Sequence, residues 1–220
     1  MAAVAREVCR IGRSLYERGY VHATAGNISV RLDDTEGGGW LITPTDACLG
    51  TLEPHRLAHI GADGEQRSGD RASKTLALHR RIYAADPQAR CVLHTHSTHL
   101  VALTLAGVWQ PHDILPPITP YYVMKVGHVP LVPYQRPGDP AAAEWVAQAI
   151  TASHQRQLPL RAVMLDRLGP VVWHRSLGEA SATLEELEET ARLWLLVQRQ
   201  VEPLAADRID DLRRTFGALW

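Results

Sequence analysis

The residues best suited to chemistry lie in one short run, Cys91-Val92-Leu93-His94-Thr95-His96-Ser97-Thr98-His99. An apolar lead-in ends in histidines at i and i+2, and along a strand such residues project from the same face. His94 and His96 therefore point together from the end of a buried strand. Two imidazoles side by side are how a protein presents adjacent ligands to a zinc-like ion. His99 lies outside that pair and is expected to cap or pack against the helix that follows.

Other elements must hold the pair in place. Val4, Val8, Ile11 and Leu15 recur at helical spacing before Gly19, which predicts an amphipathic helix over 3–19. Residues 28–32 and 40–42 read as strands joined by the Asp33–Gly39 loop, with Thr43-Pro44-Thr45 ending the second. Ser68-Gly69-Asp70 is a turn before a helix over about 74–85. The histidine strand and a helix over 97–106 come next. The proline-rich middle is predicted to hold short strands at 122–126 and 129–132, then a helix at 139–153. Residues 163–165 and 171–173 form a strand pair joined through Asp166-Arg167-Leu168-Gly169. The end is helical at 184–200 and again near 209–216. Alternating helices and strands without internal repeats predict one layered α/β domain over residues 1–220.

Composition narrows the function classes. The chain has 220 residues, 45% hydrophobic and 21% charged, with a formal net charge of -1. That balance gives no electrostatic footprint for nucleic acid or an acidic membrane surface, and no apolar run is long enough to span a bilayer. Charge interrupts the N-terminal segment, so a signal peptide is not expected. Cys9, Cys48 and Cys91 are odd in number and widely spaced, which suits a reducing cytoplasm better than a disulfide framework.

Several segments together carry a family resemblance: Ala25-Gly26-Asn27-Ile28-Ser29, Thr43-Pro44-Thr45, Ser68-Gly69-Asp70, His94-Thr95-His96 and Gly169-Pro170-Val171-Val172. Their order resembles that of the class II aldolases and their adducin-like relatives. Thr119-Pro120-Tyr121-Tyr122-Val123-Met124, Arg136-Pro137-Gly138-Asp139 and Glu185-Glu186-Leu187-Glu188-Glu189-Thr190-Ala191 narrow it to the 3-oxo-tetronate 4-phosphate decarboxylase branch. The resemblance implies a three-layer α/β/α domain around a mostly antiparallel sheet, assembled as a homotetramer with sites at subunit boundaries. It also implies a divalent metal, usually zinc, which polarises a substrate carbonyl and stabilises an enediolate as a carbon–carbon bond breaks.

Carried over residue by residue, the resemblance makes His94 and His96 metal ligands by descent. It assigns Gly26, Asn27, Thr43, Thr45, Ser73 and Lys74 to the turns that cradle a small anionic substrate, a task suited to N–H groups and hydroxyls at turns and helix starts. Tyr121 and Tyr122 fall where relatives place a tyrosine near the site, a candidate proton donor across a subunit boundary. Two positions depart from the pattern. Leu168 stands where the family has its third histidine, in an Asn-His-Gly turn that here reads Arg167-Leu168-Gly169. Thr75 stands where the family has its acid/base glutamate, and threonine is no general base near neutral pH. His22, Asp166 and His174 are candidate replacement ligands, and Arg167 could lend a cation in place of the metal.

The functional expectation is a divergent lyase. It would keep the pocket and carry out a decarboxylase, dehydratase or isomerase-type step through an enediolate-like intermediate on a small hydroxy or oxo acid or sugar phosphate. The alternatives are a conventional metal-dependent 3-oxo-tetronate 4-phosphate decarboxylase or aldolase, and a non-catalytic homologue.

Overall fold

The computed structural model describes residues 1–220. Its elements are α1 (Ala2–Glu17), β1 (Asn27–Arg31), β2 (Trp40–Ile42), β3 (Ala58–Ile60), β4 (Gln66–Ser68), α2 (Leu76–Ala85) and β5 (Cys91–His94). They continue with α3 (Thr98–Ala106), β6 (Leu131–Val132), α4 (Pro140–Gln155), β7 (Ala162–Leu165), β8 (Gly169–His174), α5 (Leu177–Leu196) and α6 (Ala206–Phe216).

The strands form one sheet in the order β4-β3-β2-β1-β5-β8-β7-β6. Only β6 and β7 run parallel. Period-two alternation along each strand divides the core between the two faces. On one face Ile28, Leu93, Met164 and Val172 pack with Val8, Leu15, Leu100, Leu184 and Leu187 from α1, α3 and α5. On the other, Val92, Val163, Val171 and Trp173 pack with Ile82, Tyr83, Val146 and Ile150 from α2 and α4. The result is the three-layer α/β/α arrangement with a mostly antiparallel sheet. Full burial of one such side chain contributes roughly 1.5–3 kcal/mol. Because Val92 faces α2 and α4, His94 two residues on faces them as well.

Three sequence expectations change. Tyr122–Val126 is a π-helical turn rather than a strand: the Thr119 hydroxyl accepts the Tyr122 N–H at 3.1 Å and caps a helical start just after Pro120. The long C-terminal helix begins at Leu177, not near 184. Ser176 accepts the Glu179 N–H at 3.2 Å and donates to its carboxylate at 3.0 Å, a Ser-x-x-Glu cap of the kind that sets a helix start. Strands β3 and β4 are additions at the sheet edge.

Candidate active site

Several turns converge beyond the end of β5 around a cavity of about 250 Å³. Its walls come from Thr24–Asn27, Pro44–Asp46, Ser73–Thr75, the two histidines, Asp166 with Leu168, and the stretch from Pro133 into the start of α4. Backbone fit explains the convergence. Gly26 has φ +81°, and a Cβ there would lie 2.8 Å from the His94 carbonyl oxygen, so only glycine lets this turn lie against β5. Asn27 pairs with His94 in the β1–β5 ladder, which turns both side chains to the same face. The segment after β2 is tied to the one before α2: the Thr45 N–H donates to the Arg71 carbonyl at 2.9 Å and the Ser73 N–H to the Thr43 carbonyl at 3.2 Å.

Of the anion-binding candidates, Gly26, Asn27, Thr45, Ser73 and Lys74 line the cavity. Thr43 does not. It is fully buried, and its hydroxyl accepts the Ile28 N–H at 3.1 Å, stapling β2 to β1 behind the wall. Asn27 is buried with its Oδ1 unpartnered, an orphan acceptor that a group entering the cavity would satisfy. Lys74 is exposed at the start of α2, a helix with no side-chain cap on its first N–H groups. That leaves donors beside a cation, a suitable setting for an anion.

His94 and His96 both line the cavity, their ring centroids 5.1 Å apart. The His94 Nδ1 lies 2.9 Å from the Pro170 carbonyl oxygen. A carbonyl can only accept, so Nδ1 carries the proton and Nε2 holds a free lone pair. Burial, and then the neighbouring His96, push His94 down to about 4, with the Pro170 bond acting the other way. Burial, and then His22, lower His96 as well. Behind them His79 is completely buried and pushed down to about 3, chiefly by burial and secondarily by His94. The Ser29 hydroxyl joins the His79 Nδ1 at 2.7 Å and the Tyr83 hydroxyl at 2.8 Å, while the His79 Nε2 has no partner. All three imidazoles are neutral at neutral pH.

Leu168 and Thr75 also line the cavity. Leu168 packs on the apolar cluster of α2 and α4, and the Thr75 hydroxyl is engaged by Ser73 Oγ at 2.9 Å. None of the replacement ligands completes the set. His22 is exposed with its ring centroid 6.4 Å from His96, and His174 pairs with Glu179 at 2.9 Å at the far end of β8. Asp166 lines the cavity, yet no group of three or more His, Cys, Asp or Glu side chains is arranged to hold a metal ion. The donor set does not fit a catalytic zinc site, which rests on three protein ligands plus an open position.

The three residues expected to act in catalysis lie elsewhere. Tyr121 is 60% exposed and outside the cavity. Tyr122 is fully buried, its hydroxyl donating to Asp113 at 3.3 Å within a cluster that also holds His128 and Trp220. Arg167 is exposed at the β7–β8 turn, with its N–H donating to the Thr104 hydroxyl at 3.1 Å. His99 departs from its expectation: it lies in the first turn of α3 itself, where Glu188 of α5 accepts its N–H at 2.9 Å and that of Leu100 at 3.1 Å and meets its Nδ1 at 2.8 Å, so Glu188 does the capping. Sequence reasoning gave no role to Arg136 and Asp139, which also line the cavity. Their signal was the Arg-Pro-Gly-Asp run ahead of a helix, where Asp139 caps α4 by accepting the Ala141 N–H at 3.0 Å.

A mostly antiparallel sheet between helical layers, with a histidine pair at one strand end beside a cavity walled by turns, defines a class II aldolase-type scaffold. Residues 6–195 match the family model described as Class II Aldolase and Adducin N-terminal domain, and the chain belongs to that family. It is 58% identical over 97% of its length, and 96% of the relative's, to a 3-oxo-tetronate 4-phosphate decarboxylase of Cupriavidus necator. A second protein of that name, from Escherichia coli, is 43% identical over 94% of this chain and 93% of its own. The crystal structure of Escherichia coli YgbL, a protein of the aldolase/epimerase/decarboxylase type, superposes with a TM-score of 0.87. It is 42% identical, covering 96% of this chain and 98% of its own. These relatives are named as carbon–carbon lyases, and this chain shares their family. No helix is long and apolar enough to cross a membrane.

Proposed function

We propose that this chain decarboxylates a small phosphorylated 3-oxo acid of the 3-oxo-tetronate 4-phosphate type. The observation that carries the reading is the 58% identity to a decarboxylase of that substrate across nearly the whole chain. The cavity supports it. Asn27, Thr45, Ser73 and Lys74 form a polar wall with a cation at its edge, suited to a phosphate, and Arg136 supplies a second cation for a carboxylate.

The altered residue Thr75 favours decarboxylation over aldol cleavage. A retro-aldol step begins when a base takes a hydroxyl proton, and the Thr75 hydroxyl cannot serve as that base. A 3-oxo acid needs no such start. Its C1–C2 bond breaks to release CO2, the electron pair becomes the C2=C3 bond, and the charge settles on the C3 oxygen. A proton then adds at C2, leaving a three-carbon ketone phosphate. The chain's task is to hold both anionic ends and to place donors where the C3 oxygen gains charge. With Lys74 held to the phosphate, the His96 ring N–H is a group lining the cavity able to donate there.

Assembly belongs to the same proposal. Tyr121 is exposed and outside its own cavity, so in a homotetramer it would reach a neighbouring copy's site as a proton donor. The test is steady-state turnover of 3-oxo-tetronate 4-phosphate against the phosphate-free acid, for the wild-type chain and Lys74→Met. Wild type should prefer the phosphorylated acid by about 100-fold in kcat/KM, and Lys74→Met should lose most of that preference, since one charge-assisted hydrogen bond contributes about 1.5–3 kcal/mol. No preference for the phosphate would refute the reading.

A further inference from the structure

We infer that this chain holds no resident divalent metal, because one side chain, Leu168, replaces a ligand on a turn whose backbone is still built to present one. The inference stands on cavity geometry and does not require the decarboxylase reading.

Half of a metal site is in place. The Pro170 carbonyl fixes the His94 proton on Nδ1 and leaves the Nε2 lone pair free, as a ligand imidazole requires, and His96 sits beside it. The β7–β8 turn is held against this pair. A Cβ on Gly169, at φ +142°, would stand 1.9 Å from the Thr95 carbonyl oxygen, so the turn is wedged onto the chain between the two histidines. Arg167 takes a left-handed φ of +60°, a conformation that costs a long side chain about 1–2 kcal/mol and suits asparagine or glycine better. The turn is also pinned by the Arg167 N–H on Thr104 Oγ1 at 3.1 Å and the Leu168 N–H on the Leu165 carbonyl at 3.1 Å. A strained, pinned turn thus delivers residue 168 to the cavity that His94 and His96 line, and the side chain delivered has no donor atom.

Nothing nearby substitutes for it. Asp139 is committed to capping α4, Thr75 is engaged by Ser73, and Asp166 completes no three-donor group. Two imidazoles alone leave most positions of a zinc ion to water. A partner that only orients a ligand changes metal affinity by about 10–100-fold, so a direct ligand gained at position 168 must change it by at least about 100-fold.

The test uses the full chain, stripped with a chelator and then titrated with Zn²⁺ by calorimetry and with Co²⁺ by visible absorption. Wild type should retain no zinc through gel filtration in metal-free buffer. Leu168→His should bind at least about 100-fold tighter, gain the intense visible band of tetrahedral Co²⁺, and lose both when His94→Ala is added. The inference is overturned if wild type carries one zinc per chain through the column, or if folded Leu168→His binds no tighter than wild type. Should Leu168→His fail to fold, wild type alone decides. Zinc affinity unchanged by His94→Ala supports the inference, and a tight stoichiometric site lost on that substitution overturns it.

Discussion

Replacing Gly169 by alanine probes the contact that organises the cavity. The new Cβ would lie 1.9 Å from the Thr95 carbonyl oxygen, where ordinary contact begins near 3.4 Å, so the turn must retreat by roughly 1.5 Å from a backbone atom that cannot swing aside. Retreat carries the Pro170 carbonyl away from the His94 Nδ1, now at 2.9 Å, and from the Thr95 N–H, now at 3.3 Å. Overpacking of this kind costs about 1–3 kcal/mol. An alanine held at φ +142° adds about 1–3 kcal/mol, and each hydrogen bond weakened adds about 1 kcal/mol. The expected loss is therefore about 4–8 kcal/mol, which for a chain of this size lowers Tm by roughly 10–30 °C. Gly178→Ala is the control, because a Cβ there meets nothing within 4 Å in the first turn of α5. It should leave stability unchanged or raise it by up to about 1 kcal/mol. Urea unfolding of both variants checks this. Gly169→Ala within about 1 kcal/mol of wild type would refute the wedged-turn argument.

Further expectations follow from the same residues. His79 and His94 are neutral in the fold, with values near 3 and 4 against an ordinary 6.5, so the unfolded chain takes protons first as pH falls. Their contribution to stability is complete above about pH 6.5 and is lost on descent towards those values, at about 1.4 kcal/mol per pH step for each ring. Urea unfolding should show stability dropping by several kcal/mol between pH 7 and 4.5, with a flatter slope in His79→Asn; an equal slope in both would contradict the burial argument. Tyr121→Phe should lower kcat by about 100-fold with Tm unchanged, as loss of a proton donor does, and an unchanged kcat would remove Tyr121 from the mechanism.

How much was legible in the sequence depends on how local each signal was. The His94–His96 pair is legible because strand periodicity acts over a few residues, whereas Gly26 enters through the family resemblance. Residues 122–126 read as a strand because their aromatic and β-branched side chains carry a strand preference, which the Thr119 cap overrides. The family resemblance puts Tyr122 and Arg167 near the site. The structure instead turns one into the Asp113 cluster and the other to solvent, outcomes fixed by packing between distant segments. Arg136 carries only the local signal of its Arg-Pro-Gly-Asp run, because its wall is formed by α4 packing on α2, a contact no local pattern encodes.

The most direct test supplies chelator-treated protein with 3-oxo-tetronate 4-phosphate labelled with ¹³C at C1 and follows both carbon products by NMR. Labelled CO2 and bicarbonate should appear one for one with an unlabelled three-carbon ketone phosphate, under conditions where ketose 1-phosphates stay intact. Folded protein that leaves the labelled acid untouched, or that cleaves the ketose phosphates instead, would contradict it.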